Sequence, residues 1–221
     1  INPDDLRRYS EMYLASLPSQ LDVVPQYKQR AYPLDFTQRE ITVKKGKDKV
    51  SEVRIMYGGE TEFSPRDNLA LIMSGDIITE RLIKELREEL GGVYSPGASG
   101  GLIERPNPSY RFDIGFPCDP ERVEELTASA LSIIRNLAES GPTDAEVEKV
   151  RQIYLTQFRR SRNTNEFGAE QFSNAIKNGH DPASVRTYET RLAAISVDDI
   201  QATIAKFLSA DKRVIATLMP E

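Results

Sequence analysis

The segment from residue 79 to residue 95 constrains the fold most strongly, because it joins the end of a long helix to an extended run. Leucines recur every four residues in its first part, which is typical of a helix with one apolar face. Gly91 and Gly92 then stand where a helix C-cap favours a positive φ angle. The sequence therefore predicts a helix that stops at the glycines and a strand that begins with residues 93–95.

The order of the other patterns predicts the fold class. Capping signals at Ser64, Thr143 and Ser196 mark three helix starts. In chain order, the sequence predicts a hairpin of strands 40–45 and 50–57, a long helix, two antiparallel strands joined near 105–108, several helices and a final strand 212–219. Gly58 and Gly59 are predicted to end the hairpin, and Gly75 to loosen or kink the long helix. This order favours an α+β fold, in which an antiparallel β-sheet is covered on one face by several helices.

The chain is predicted to contain three parts: the terminal helix of a preceding domain (1–18), a linker (19–38) and a carboxy-terminal domain (39–221). The linker has prolines and no sustained periodicity, and a structureless stretch of this length is uncommon inside one compact domain. Because the sequence begins at Ile1, within a helix-start signal, we expect it to be a piece of a larger protein.

Composition excludes several classes of function. A net charge of −5 argues against a general nucleic-acid binder, and no apolar run approaches the length of a membrane span. The single cysteine, Cys118, cannot form an intrachain disulfide, and the single histidine, His180, cannot supply a histidine pair for zinc. Adjacent acidic pairs diverge around a helix and indicate solvated faces. We therefore expect no metal ligands in this chain.

Taken one at a time, the remaining candidates have structural explanations. His180 lies in a loop between glycine and proline and is expected at the surface. The glycine-rich segment 91–101 follows a helix C-terminus, whereas phosphate loops precede a helix N-terminus. Arg87 alone is a last-turn cation that complements the helix dipole, and Tyr94 alone is a half-buried strand residue.

A family resemblance changes that interpretation. Residues 86–95, Leu-Arg-Glu-Glu-Leu-Gly-Gly-Val-Tyr-Ser, resemble the helix-end segment of the insulinase/pitrilysin family of zinc metallopeptidases. The sequence on both sides of this segment also resembles the family, from about Val53 to Pro220. The resemblance is clearest at residues 112–121, 140–147 and 196–200. The first 19 residues resemble the end of the preceding repeat in the same family.

The resemblance implies an α+β repeat unit from the carboxy-terminal half of such an enzyme. The family's zinc ligands and general base lie in the amino-terminal half, and the two halves close around a chamber that takes extended peptides. In the last unit an arginine and a tyrosine seven positions apart reach the substrate, and Arg87 and Tyr94 match this spacing. Both are thus implied to bind substrate, with Tyr94 as an oxyanion donor in the assembled enzyme. The sheet face is expected to line the chamber with polar groups.

The resulting expectation is the substrate-contacting carboxy-terminal portion of a zinc metallopeptidase, inactive and zinc-free by itself. Its expected partners are the missing zinc-bearing half, or a catalytic partner chain, and a peptide substrate, without nucleic acid or direct membrane insertion. The alternative is a non-catalytic partner or scaffold subunit of the same fold in a heteromeric peptidase or membrane complex. For a bacterial source, the resemblance favours the periplasm over the cytoplasm.

Overall fold

The computed structural model describes residues 2–18 and 35–221. They belong to two compact units, of which the first contains helix α1 (Pro3–Tyr13) and the second contains every element from residue 35 onward. Most of the predicted linker, residues 19–34, lies outside the described residues. Asn2 caps α1, because its side chain accepts a hydrogen bond from the backbone N–H of Asp4 at 3.0 Å.

The second unit is a five-stranded sheet with helices. Its strands and α-helices are, in chain order, β1 (Arg39–Lys44), β2 (Ser51–Glu60), α2 (Pro65–Leu82), β3 (Gly97–Ile103), β4 (Ser109–Cys118), α3 (Val123–Ser140), α4 (Asp144–Ser161), α5 (Asn165–Asn178), α6 (Tyr188–Ala193), α7 (Val197–Phe207) and β5 (Arg213–Met219). The strand order is β1-β5-β2-β4-β3, in which β1 and β5 are parallel and the other neighbours antiparallel. The predicted α+β fold is confirmed, with one parallel pair at an edge of the sheet.

The predicted hairpin of β1 and β2 is wrong, because β5 lies between these two strands. Ala216 of β5 pairs with Ile41 on one side and with Arg54 on the other. The connection between β1 and β2 therefore crosses the end of β5, where the N–H of Lys45 donates to the carbonyl of Met219 at 2.9 Å. The physical reason is burial, because Val214 and Ile215 of β5 are 4% and 7% exposed in the inner position, whereas every residue of β1 is exposed at the edge of the sheet.

The end of β2 also differs from the prediction. Gly58 and Gly59 do not terminate this strand, which continues through both glycines to Glu60. The ring of Phe36 occupies the space that a side chain at Gly58 would need, because a Cβ there would lie 2.3 Å from that ring. Phe36, which the sequence assigned to the linker, thus packs against the sheet.

One face of the sheet carries the core. Tyr57, Phe112 and Phe116 are at most 1% exposed, and they belong to the two central antiparallel strands β2 and β4. The ring of Tyr110 packs against Phe207 of α7 with 4.8 Å between the ring centroids. Burial of such apolar surface, at roughly 25 cal/mol per Å², is the main stabilising contribution. The helices therefore cover one face, as the sequence predicted.

Helix α2 also closes the outer edge of the sheet at β3. The hydroxyl of Thr79 accepts from the N–H of Ala98 at 2.9 Å and donates to the carbonyl of Ala98 at 3.2 Å. The side-chain oxygen of Asn68 accepts from the N–H of Leu102 at 2.8 Å. Gly75 permits this approach, because a Cβ there would lie 3.2 Å from the Ala98 carbonyl oxygen, and α2 passes through it without a break. The edge strand thus has side-chain partners instead of exposed backbone groups.

Replacing Thr79 by valine is expected to lower the free energy of unfolding by about 1–3 kcal/mol. Valine has nearly the same shape but cannot pair with either backbone group of Ala98, which lie in a partly buried site. Urea denaturation measures the change, and Thr190→Val, at an exposed position of α6, is the matched control. Equal stability of the two variants would contradict this role for Thr79.

An ion pair joins α4 to α2. The guanidinium of Arg81 donates through Nε and Nη2 to the two carboxylate oxygens of Glu146, at 2.8 and 3.0 Å. Glu146 also closes the predicted capping box, because its carboxylate accepts from the backbone N–H and the hydroxyl of Thr143. The hydrogen bond from Arg81, with the bonds from Thr143, lowers the pKa of Glu146 from 4.5 to about 2.

This lowered pKa predicts an acid-sensitive contribution to stability. The contribution of Glu146 to the free energy of unfolding is complete at pH values above 4.5, its pKa in the unfolded chain. It is lost as the pH falls through about 2, its pKa in the folded protein. The difference in unfolding free energy between the unchanged protein and Glu146→Gln should therefore shrink over that interval. Chemical denaturation at several pH values measures it, with Glu139→Gln, at an exposed position of α3, as control. A difference that does not vary with pH would refute the assignment.

Candidate functional site

The candidate site is built at the end of the long helix. After α2 the chain continues in a π-helical segment (Ile83–Glu89), in which Leu86 is fully buried. Gly91 ends the helix with a φ of +59°, in the left-handed region that glycine adopts at little cost. The N–H of Gly92 donates to the carbonyl of Leu86 at 2.9 Å, which closes the helix end. The predicted stop is confirmed, and Arg87 is exposed in the last turn.

Arg122, which immediately precedes helix α3, supports this end from the other side. Nη1 of Arg122 donates to the carbonyl of Leu90 at 3.1 Å. Its Nε and Nη2 donate to the carboxylate of Glu125 at 3.0 and 2.9 Å. Arg122 thus satisfies one of the carbonyl groups that a helix C-terminus leaves without an intrahelical partner. No local sequence pattern points to this arginine, because its acceptor lies 32 residues away along the chain.

Tyr94 lies between two anchored residues. On one side Val93 is 8% exposed and forms an isolated antiparallel bridge with Cys118, and on the other side Pro96 is buried. The predicted strand 93–95 is wrong in extent, because only Val93 pairs and β3 begins at Gly97. The Tyr94 side chain is consequently 81% exposed, instead of half-buried as in a strand. Anchored neighbours fix the backbone of an aromatic residue whose ring faces solvent.

The structure brings Arg87 and Tyr94 together. The guanidinium carbon of Arg87 lies 5.8 Å from the centroid of the Tyr94 ring, within the range of a cation–π contact. Such a contact at an exposed site contributes about 0.5–1 kcal/mol. Within residues 2–18 and 35–221, neither side chain has a hydrogen-bond or ion-pair partner. The guanidinium N–H groups and the phenol O–H are therefore available to a ligand.

A polar cleft of about 470 Å³ lies on the sheet and begins at Ser95, the residue that follows Tyr94, although neither Arg87 nor Tyr94 lines it. Ser95 connects the cleft to Tyr94, and the other lining residues are Glu52, Arg54, Thr79, Gly97, Ala98, Ser99, Asp113, Gly115 and Pro117. Arg54 pairs with Glu52 at 2.8 Å, and Arg111 donates to both carboxylate oxygens of Asp113 at 2.7 and 2.9 Å. These charges lie on the face opposite the core, so this face is polar.

Sequence reasoning did not single out the charged residues of this face. The signal was present, because Arg111 and Asp113 alternate with buried aromatic residues along β4, and Glu52 and Arg54 occupy alternate outward positions on the neighbouring strand β2. Charged residues at outward positions of two adjacent strands indicate a polar sheet face. What the pattern could not supply was the pairing of β2 with β4.

The described residues do not fit a zinc ion. Nε2 of His180 lies 2.8 Å from a carboxylate oxygen of Glu104, at the surface. Burial raises the pKa of Cys118 to about 11, so its thiol is protonated near neutral pH. Over residues 2–18 and 35–221 no three His, Cys, Asp or Glu side chains converge as metal ligands would. No zinc step is therefore assigned to these residues.

Among the helices in the described residues, none combines the length and the apolar character needed to cross a membrane.

Comparison with known proteins identifies relatives over the whole chain. The family model described as "Peptidase M16 inactive domain" matches residues 1–154. The probable zinc protease PqqL of Haemophilus influenzae is 24% identical over 219 residues, which cover 99% of this chain and 23% of that protein. The chain thus spans less than a quarter of the length of this curated relative.

Solved structures share the fold. The structure described as the periplasmic protease PqqL from Escherichia coli has a TM-score of 0.84 and 19% identity, and the match covers 99% of this chain and 24% of that one. A peptidase M16 inactive domain from Pseudomonas fluorescens has a TM-score of 0.78 and 18% identity, and its match covers 100% of this chain and 52% of that one.

Proposed function

The chain belongs to the M16 peptidases, the insulinase/pitrilysin-like zinc proteases, as their inactive domain, and we propose that it forms part of the substrate chamber and binds peptide through Arg87 and Tyr94. The proposal extends the family assignment, because the two PqqL proteins are about four times as long as this chain and the activity in their names concerns the whole protein. In this proposal the zinc and the general base come from another part of the protein or from a partner chain.

One observation carries the proposal. Tyr94 is 81% exposed although its neighbours are anchored, and the Arg87 guanidinium lies over its ring. An exposed aromatic ring with a fixed backbone gains little for folding, because its apolar surface stays in water. Two side chains that are free of other partners and preorganised relative to each other favour ligand binding over a structural role.

The chemistry of the two groups suits a peptide at the point of cleavage. A phenol O–H can donate to the oxyanion that develops when the scissile carbonyl becomes tetrahedral. The planar guanidinium can donate to backbone carbonyl oxygens of an extended peptide. The contact between the two side chains would hold the phenol in position before the substrate arrives.

The polar cleft extends this site along the sheet. Three charged residues that line the cleft form ion pairs, Arg54 with Glu52, and Asp113 with Arg111 beside the cleft. Surface ion pairs are weak, at about 0–1 kcal/mol each. A polar group of a bound peptide can therefore replace one partner of such a pair at a small cost in free energy. We therefore assign this face to the wall of the chamber.

The relatives also support a proposal for the cellular compartment of this protein and for its binding partner. Because the matched E. coli structure is described as a periplasmic protease, we propose the periplasm for a bacterial source. The proposed partner is the zinc-bearing half, which would lie opposite Arg87 and Tyr94 when the chamber closes.

Photocrosslinking tests the substrate contact. With p-benzoyl-phenylalanine in place of Tyr94 in the full-length protein, irradiation with peptides from a casein digest should join peptide to this position. The same probe in place of Arg135, which is exposed on α3, should capture none. If position 94 captures no peptide at saturating concentration, the substrate role fails and the rival interpretation, a non-catalytic scaffold subunit of the same fold, is favoured.

A further inference from the structure

A second concave surface lies far along the chain from Arg87 and Tyr94. It is bounded by α4, α5 and the 3₁₀ turn Pro182–Thr187, and we name it the α4–α5 groove. Two adjoining compartments of about 420 and 290 Å³ make up the groove. They share Phe158, Phe167, Gln171 and Val185 as walls, so the floor of the groove is continuous, and three of its four shared residues are apolar.

Aromatic contacts stiffen this floor. Phe158 packs edge-on against Phe167 with 5.6 Å between centroids, and stacks on Tyr188 at 4.7 Å. Aromatic pairs in these geometries add about 0.5–1.5 kcal/mol beyond the burial of their area. The floor is therefore already formed and would lose little entropy when a ligand binds.

One wall presents apolar side chains to solvent. Phe172 and Ile176 of α5 are 58% and 72% exposed, and they stand one helical turn apart on the same face. Phe172 lines the groove directly. Exposed apolar surface next to an apolar cleft is typical of a protein interaction site.

The rim of the groove is basic. Arg159 and Arg162 both pair with the single carboxylate of Glu189, at 2.8 and 3.2 Å. Arg186 also lines the groove, and among the described residues it has no ion-pair partner. The charged residues that line the groove are Arg162, Arg186, Arg191 and Glu189, so three guanidinium groups stand beside one carboxylate and two positive charges are in excess. Glu166 and Glu170, the acidic residues of α5, do not line the groove.

We propose that the α4–α5 groove docks an amphipathic helix of another protein, with apolar residues toward Phe158 and Phe172 and acidic residues toward Arg162 and Arg186. An apolar floor with a basic rim is complementary to that chemistry in both shape and charge. This site goes beyond the peptide site at Tyr94 and does not depend on it.

One feature favours a helical occupant, and a second disfavours another copy of this chain. The exposed apolar residues of α5 repeat with the spacing of one helical turn, so a helix laid along the groove can match them at i, i+3 and i+4. A second copy of this chain is disfavoured, because a two-fold contact through this surface would bring the arginines of one copy toward those of the other.

Fluorescence anisotropy with the 221-residue chain tests the proposal. The probe is a fluorescein-labelled peptide of about 18 residues, roughly five helical turns, with Leu and Phe at helical spacing and Glu elsewhere. A second peptide keeps the apolar residues and carries Lys in place of Glu. The acidic peptide should bind about tenfold more tightly than the basic one, and added salt should reduce the difference.

Paired variants locate the binding site. Arg162→Glu combined with Arg186→Glu should weaken the acidic peptide by about tenfold or more, whereas Arg135→Glu on α3 should not. Phe172→Asp should weaken it similarly, whereas Val50→Asp, at another exposed apolar position, should not. Circular dichroism confirms that each variant is folded.

The alternatives give different results. Equal binding of the two peptides, equal loss in the control variants or no binding of either peptide would each overturn the proposal. A concentration-dependent dimer that Phe172→Asp abolishes would also overturn it, because the occupant would then be a second copy.

Discussion

Tyr94→Phe in the full-length peptidase is expected to lower kcat by about 10²-fold and to leave the melting temperature nearly unchanged. The substitution removes one hydroxyl from a side chain that is 81% exposed, so no buried group loses a partner. If the phenol donates to the developing oxyanion, its loss is felt only in the transition state, which lowers kcat and kcat/KM together. Initial rates on a quenched fluorescent peptide and a thermal melt on the same preparation measure both quantities.

Tyr13→Phe is the matched control, since Tyr13 is also exposed, at 64%, and lies on α1. It should leave kcat and the melting temperature as they are. Activity of Tyr94→Phe equal to that of the control would remove the oxyanion role. A lower melting temperature with unchanged activity per folded molecule would assign Tyr94 a structural role instead.

Arg87→Ala is expected to affect both binding and turnover, with KM raised and kcat lowered by about tenfold each. Two losses combine in this variant. The peptide loses a guanidinium that holds its backbone carbonyls, and the Tyr94 ring loses the cation that lies 5.8 Å from its centroid. Arg87→Lys keeps the charge but not the planar group and should recover only part of the activity.

Arg160→Ala, at an exposed arginine of α4, is the control for loss of a surface guanidinium.

The double variant that combines Arg87→Ala with Tyr94→Phe tests whether the two residues act together. If Arg87 positions Tyr94, the two losses in kcat should be less than additive, because the second substitution removes an effect that the first has already weakened. Fully additive losses in kcat, or wild-type kinetics in both single variants, would show that Arg87 and Tyr94 do not act as a functional pair.

Local signals were enough to locate most helices. Thr143 and Ser196 cap α4 and α7 as predicted, because a capping box is formed by residues three positions apart and needs no tertiary partner. Gly91 has the positive φ expected at the end of the long helix for the same reason. The family resemblance, carried most directly by residues 86–95, correctly indicated a domain of the M16 peptidases.

The sequence by itself therefore located most of the helices, and its family resemblance indicated the family and the two residues to test. Only the tertiary structure decided which strands are neighbours, because β5 lies between β1 and β2 although more than 150 residues separate it from either. It also decided that Thr79 and Asn68 close the edge of β3, and that Tyr94 is exposed beside Arg87. Backbone pairing and side-chain exposure depend on segments distant in sequence, so no local period encodes them.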